Sequence, residues 1–237
     1  MTDYSGAPLW SRFLNSDQDA ARRNRVPNSA GEAWKLPDGV DRQCPPQGAK
    51  PGCPLPWDWE TRDYVALDVE TTGLDAFNDR IVEIGVVLFG FDRDGALVPR
   101  GEWSSLVNPG VSIPDVASSI HGITDLDVSA SPRFSDLSEE FSGLINGKVL
   151  VAHNAPFDAS FVTREYSRLP AASPVGEVAD SLLLLRMAYP GLLSYNLGKA
   201  AYVLGVPSGQ GHRALDDAKT CMSIFALCAR RLAGLCP

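Results

Sequence analysis

Three features of this chain predict an α/β fold, a mixed five-stranded sheet with three antiparallel strands and then parallel ones, flanked by helices. First, YVALDVETTG at Tyr64 to Gly73 alternates Val65, Leu67 and Val69 with Ala66, Asp68 and Glu70. Such period-two alternation marks a β-strand with one face buried. Second, two more strand-like runs follow through short, turn-rich connections, and short connections join antiparallel neighbours. Third, strand-like and helix-like segments then alternate, which puts helices on the faces of a mixed sheet.

Residues 1–60 differ from the rest. They hold eight of the eighteen prolines and four of the five tryptophans, Trp10, Trp34, Trp57 and Trp59. The sequence therefore predicts a Pro/Trp-rich, partly irregular extension over 1–60 and one further domain over 61–237. Leu14 to Arg25 reads as a short helix, with Asp17 and Asp19 early and Arg22, Arg23 and Arg25 late, matching the helix dipole. Arg42 to Pro56 reads as an extended, Pro-rich linker. Cys44 and Cys53 have no second Cys or His pair nearby, so unpaired thiols are expected there rather than zinc. The tryptophans are expected to pack this arm onto the domain or onto a partner.

After the first strand, IVEIGVVLFG (Ile81 to Gly90) reads as a second strand and GEWSSLVNP (Gly101 to Pro109) as a third, with DRDG as a turn between them. Helices are expected over Pro114–Ser119 and Ser135–Ile145, the latter with Ser135 as N-cap and Gly147 past its end. Lys148–Ala152 is a short buried strand. Pro156–Leu169 is a helix with Phe157, Phe161, Val162, Tyr166 and Leu169 inward. Glu177–Asp180 is the last strand, followed by helices at Ser181–Tyr189, Tyr195–Leu204 and Arg213–Leu235. Cys221 and Cys228 lie a heptad apart near the last helix's apolar stripe and are expected in the core.

The net charge is −8, so there is no global basic footprint for nucleic acid. Carboxylates that bind divalent cations inflate that formal acidity without describing the working surface. No apolar run approaches a membrane span, so no membrane partner is expected. The first residues lack a charged-then-apolar signal pattern, and five cysteines is an odd count. A cytoplasmic protein with reduced thiols is the expectation.

Four carboxylates stand out. Asp68 and Glu70 share one strand face, roughly 6–7 Å apart by strand rise. Two acids on an apolar strand are costly to desolvate without a positive partner. HNAPFD puts Asp158 at the start of a helix, where Asn154 can cap and Pro156 suits the first turn. In GHRALDDAKTC, helical geometry separates two adjacent acids. Ala214, Ala218, Met222, Phe225 and Leu232 form one stripe. Asp217 flanks its centre by about 100°, whereas Asp216 lies about 160° away, towards solvent. Asp217 can therefore reach an interior site and Asp216 cannot.

These stretches, DVETTGL at Asp68–Leu74, HGIT at His121–Thr124, HNAPFD at His153–Asp158 and HRALDD at His212–Asp217, resemble the DEDDh 3′–5′ exonucleases, the family of the proofreading (epsilon) subunit of bacterial DNA polymerase III and its stand-alone relatives. The resemblance covers about residues 62–234. It implies a ribonuclease H-like fold, with Asp68, Glu70, Asp158 and Asp217 as the family's acids and His212 as its histidine. It further implies two Mg²⁺ or Mn²⁺ ions: Asp68 bridges both, Glu70 and Asp217 complete one site, and Asp158 supports the other, partly through water. Four carboxylates suit such hard cations better than zinc. Two ions about 3.5–4 Å apart supply the attacking hydroxide, in-line geometry and charge neutralisation that phosphodiester cleavage needs. His212 is the implied general base, an imidazole being suited to that task. Thr71, Thr72, Gly73, Leu74, His121, Asn154 and Phe157 are the implied substrate contacts, although Phe157 equally suits core packing, and His153 and Asn154 equally suit capping.

The expected activity is removal of 5′-nucleoside monophosphates from DNA 3′ ends, single-stranded or frayed. Alternatives are the same chemistry on RNA, as in ribonuclease T and oligoribonuclease relatives, and a proofreading subunit whose N-terminal arm docks a polymerase. A binding module that has lost catalysis is disfavoured, because all five catalytic positions are filled.

Overall fold

The computed structural model describes residue 55, residues 58–209 and residues 212–235. The chain divides into two units, residues 1–34 and 35–237, and every described residue belongs to the second. The helix expected at Leu14 to Arg25, all of the linker but Leu55, the cysteines Cys44 and Cys53, and three of the four N-terminal tryptophans lie outside the described residues.

Five strands build one sheet: β1 (Tyr64–Thr71), β2 (Ile81–Phe91), β3 (Leu97–Leu106), β4 (Val149–Ala152) and β5 (Val178–Asp180). Their order is β3-β2-β1-β4-β5. β1, β2 and β3 pair antiparallel, while β4 and β5 run parallel to β1. Seven helices accompany them: α1 (Asp115–His121), α2 (Asp125–Val128), α3 (Phe134–Ile145), α4 (Ala155–Ser167), α5 (Ser181–Ala188), α6 (Leu197–Leu204) and α7 (Ala214–Leu232). Among the described residues, no helix is long and apolar enough to cross a membrane.

The sheet is covered on both faces. Val65, Leu67 and Val69 pack with Phe134, Phe141, Phe161 and Tyr166 from α3 and α4. Tyr64 and Ala66 pack on the opposite side with residues of α5, α6 and α7. This corrects the one-sided burial that alternation suggests for β1. Both faces are buried until Asp68 and Glu70, which are half-exposed. The expected extension also enters the core. Trp59 is buried, its ring 4.6 Å from that of Phe91, and its carbonyl accepts the Tyr64 hydroxyl at 2.7 Å. The packed body therefore reaches back past residue 61.

Several boundaries move for local reasons. β3 begins at Leu97 rather than Gly101, because the Asp92–Gly95 turn closes at once and Leu97 already pairs with Phe91. Pro99 within it is tolerated on an edge strand. Arg133, not Ser135, occupies the N-cap of α3, and the Asp136 carboxylate accepts its N–H at 2.9 Å. The short α2 escapes sequence reading; the Asp127 carboxylate holds its start by accepting the Thr124 N–H at 2.8 Å. Cys221 and Cys228 are buried, free thiols.

Candidate active site

The site forms where β1 outruns β4. Parallel pairing between them stops at Ala66 and Val151. Farther along β1, the Val69 N–H donates to the Asp158 carboxylate at 3.1 Å. Asp158 is buried in the first turn of α4, beside the end of β4. Two elements that diverge are thus joined through Val69, the residue that Asp68 and Glu70 flank in sequence.

Antiparallel register adds a further acid. Asp68 lies opposite Gly85 and Glu70 opposite Glu83, and paired residues of an antiparallel ladder project to the same face. Glu83 is buried. Its carboxylate receives Arg213 Nε at 3.1 and 3.2 Å, Arg213 Nη2 at 2.7 Å and the Ala214 N–H at 3.0 Å. No sequence motif singled out Glu83 or Arg213. The available signal was one acid inside an apolar strand, which must find a partner to be buried.

α7 supplies the remaining groups. Asp217 accepts the His212 N–H at 2.9 Å. His212 is exposed and holds φ at 66°, a left-handed conformation that few non-glycine residues adopt. The ligand atoms of Glu70, His212 and Asp217 all lie within 4.8 Å of one another. Asp216 is outside this group, as its helical angle predicts. It is half-buried rather than solvated, since a Cβ at Gly209 would stand 2.3 Å from its carboxyl carbon.

The acids repel one another. Burial, then Asp158, Glu70, Asp217 and Glu83, hold the Asp68 carboxyl well above the usual range. Burial, Asp217 and Glu83 push Glu70 up to about 7, against the pull of Arg213. Burial raises Asp158 to about 8, although the Val69 N–H opposes it. Burial also raises Asp217, with the His212 N–H pulling the other way. Such a cluster favours its charged state only when a cation neutralises it. A donor set of carboxylate oxygens fits a hard divalent ion.

The other expected contacts take varied positions. The loop after β1 is braced within itself. The Thr72 hydroxyl bonds Asp79 at 3.1 Å, and a Cβ at Gly73 would stand 2.3 Å from the Asp79 carboxylate. The Thr71 hydroxyl donates to the Gly73 carbonyl. From the C-cap of α4, Arg168 reaches the carbonyls of Ala76 and Phe77 at 3.1 and 3.2 Å. This bracing leaves Leu74 76% exposed at the tip. Phe157 is half-buried, its ring 4.9 Å from that of Phe161. His121 is buried. Its Nδ1 accepts the Ile123 N–H at 3.0 Å, which puts the proton on Nε2; that nitrogen makes no well-formed hydrogen bond among the described residues, although the Thr71 backbone pulls its pKa up against burial.

The capping expectation fails for His153 and Asn154. Asn154 occupies the N-cap of α4 with φ at 71°, and its side chain makes no cap hydrogen bond. Its backbone N–H instead donates to Asp180 at 3.1 Å. His153 Nε2 donates to the Tyr195 carbonyl at 2.8 Å, so Nδ1 accepts the Ser181 hydroxyl at 2.9 Å. Burial pushes this imidazole's pKa down, keeping it neutral. His153 ties the β4–α4 junction to α5 and to the segment before α6.

Comparison with known proteins gives one consistent result. The exonuclease family profile matches residues 65–225. The DNA polymerase III subunit epsilon of Treponema pallidum is 40% identical over 164 residues, covering 68% of this chain and 74% of that protein. A PolC-type DNA polymerase III of Clostridium perfringens is 34% identical over 170 residues, where the match spans 11% of that much longer protein. Among solved structures, exonuclease X in complex with 5′ overhanging duplex DNA is similar with a TM-score of 0.53 and 28% identity, over 73% of this chain and 99% of that one. Escherichia coli exonuclease I in complex with a dT13 oligonucleotide shares the fold at a TM-score of 0.59 and 17% identity, over 70% of this chain and 40% of that one.

Proposed function

This chain belongs to the exonuclease family, and from that premise we propose that it removes 5′-nucleoside monophosphates from the 3′ ends of DNA with two Mg²⁺ or Mn²⁺ ions. The observation that carries the reading is the convergence of Glu70, His212 and Asp217 within 4.8 Å, on the strand that also bears Asp68 and beside buried Asp158. Asp68, Glu70, Asp158 and Asp217 would hold the ions. When bound, divalent ions neutralise the crowded anionic centre and favour deprotonation of the attacking water.

The chain's own residues do the rest. His212 accepts the proton of the attacking water on its imidazole. The water oxygen bonds to the terminal phosphorus, the P–O3′ bond to the penultimate nucleotide breaks, and the departing O3′ takes a proton from solvent. The products are a 5′-mononucleotide and a shortened strand with a free 3′-hydroxyl. The Asp217 carboxylate holds the His212 N–H and so fixes the loop that carries the imidazole. Exposed Leu74 supplies an apolar contact for the terminal base, and buried His121 lies where its Nε2–H can turn to the terminal nucleotide.

DNA is favoured over RNA because the similar proteins named above are DNA polymerase subunits and DNA-bound exonucleases. Hydrolysis of matched DNA and RNA oligonucleotides, followed by separation of the products, tests this choice. Faster turnover of the RNA strand would replace DNA by RNA in the proposal and leave the chemistry intact.

A further inference from the structure

We propose that Arg213 is a phosphate-binding residue, held by Glu83 so that its outer guanidinium edge grips a phosphate of the strand 5′ to the scissile linkage. The inference rests on the exonuclease reading and adds a contact outside the acid cluster and its histidine.

The ion pair is asymmetric. The Glu83 side chain is 5% exposed and that of Arg213 56%. The inner edge of the guanidinium, Nε and Nη2, is spent on Glu83. A guanidinium carries five N–H donors in a fixed plane. Nη1 and the second Nη2 hydrogen have no hydrogen-bond acceptor among the described residues, and more than half of the Arg213 side chain is exposed. Binding on the inner edge fixes the outer one, which lowers the entropy cost of a second planar contact. Charge-assisted bonds from arginine to phosphate are among the strongest available to a side chain.

Position identifies the ligand. Glu83 stands opposite Glu70 in register, so Arg213 is one strand away from the acid cluster and adjacent in sequence to His212. A strand whose 3′ end enters the cluster carries its next phosphates past this rim. Buried His121 lies within the electrostatic reach of both Glu83 and His212, and the Thr71 backbone holds its imidazole. The outer edge of Arg213, beside the acids, is the donor left for an anionic ligand.

Helix capping alone does not require this arrangement. An Asp, Asn, Ser or Thr at the N-cap would satisfy the first turn of α7 locally. Here Arg213 occupies the N-cap, makes no side-chain cap bond, and the cap is borrowed from Glu83 on β2. The chain thereby gains a fixed, half-exposed cation at the mouth of a site on a protein with a net charge of −8. Local cations of this kind offset an unfavourable overall field for a polyanion.

The test is fluorescence anisotropy of a 5′-fluorescein-labelled oligothymidylate across a salt series in Ca²⁺, with hydrolysis checked by gel. Arg213→Lys keeps a charge beside Glu83 but loses the fork. The double variant E83Q/R213Q removes both charges together and leaves no buried carboxylate unpaired, and thermal melting confirms the fold of each. Competition by thymidine 5′-monophosphate, which lacks the upstream phosphate, is measured in parallel. The expected result is weaker oligonucleotide binding by about tenfold in the double variant and several-fold in Arg213→Lys. The slope of log affinity against log salt becomes shallower by about 0.7, the loss of one single-strand phosphate contact, while mononucleotide competition is unchanged. Unchanged oligonucleotide affinity and slope would overturn the assignment. So would equal weakening of oligonucleotide and mononucleotide with the slope unchanged, which is the mark of a purely structural pair. A wild-type protein that binds with the Arg213-dependent slope yet hydrolyses nothing in Mg²⁺ or Mn²⁺ would contradict the exonuclease reading alone. A wild-type protein that binds no oligonucleotide would contradict both.

Discussion

Gly85 and Ala214 touch backbone to backbone: a Cβ on Gly85 would stand 2.2 Å from the Ala214 carbonyl carbon. Gly85 faces Asp68 across the β1–β2 ladder. The first turn of α7 therefore lies directly on the sheet beside the first acid, and this contact brings Asp217 to Glu70. Gly85→Ala should lift α7 from the sheet. A loss of about 1–3 kcal/mol in stability is expected for such overpacking, with a larger proportional loss in kcat than in KM. Denaturant melts and steady-state kinetics check both.

Asp217 and Asp216 separate by role. Asp217→Asn should lose most of the activity, because it removes a charge from the cluster and the acceptor for the His212 N–H. Asp216→Asn should stay near wild type, since Asp216 lies outside the Glu70–His212–Asp217 group. Parallel rate measurements decide; equal losses would mean that α7 is seated differently.

His212→Ala should lower kcat by about 10²–10⁴-fold, the usual worth of general-base assistance. Metal affinity, read by calorimetry, should stay largely intact. Raising the pH should restore part of the rate as hydroxide becomes available. An unchanged rate and pH profile would mean that another group takes the proton.

The raised carboxyls make the metal-free fold pH-sensitive in a defined direction. Glu70 at about 7 and Asp158 at about 8 bind protons in the folded state that the unfolded chain has already released. Stability from these groups is fully present below the ordinary carboxylate range, about pH 4, and is lost as pH rises through about 7 and 8. In chelator, Tm should therefore fall between pH 5 and pH 8.5. Adding Mg²⁺ should raise Tm most at the alkaline end, through binding to the folded state alone. Differential scanning fluorimetry across that pH range reads both effects.

Much of this site is legible in the chain because it obeys short-range periodicities. Period two places Asp68 and Glu70 on one face, and the helical angle chooses Asp217 over Asp216. Glu83 is not legible in this way. Its partner Arg213 is 130 residues away in sequence, and only the β2–α7 contact makes a buried acid tolerable. Asn154 misleads for a different reason. Its residue type suits a cap, but it holds a left-handed backbone, its side chain makes no cap bond, and Asp180 takes its N–H. Trp59 is hidden by its setting among prolines, although it belongs to the core. One-sided burial of β1 fails because alternation cannot reveal that Tyr64 and Ala66 meet a second layer of helices.

The central claim is that the acids at the end of β1 form a metal-dependent 3′–5′ exonuclease centre. Gel analysis of a 5′-labelled single-stranded oligodeoxynucleotide tests it most directly, with wild type and Asp68→Asn, each in Mg²⁺, Mn²⁺ and excess chelator. The prediction is stepwise shortening from the 3′ end with release of 5′-mononucleotides, in the metal-containing wild-type reactions only. Undiminished shortening in chelator, or near-normal hydrolysis by Asp68→Asn, would contradict it.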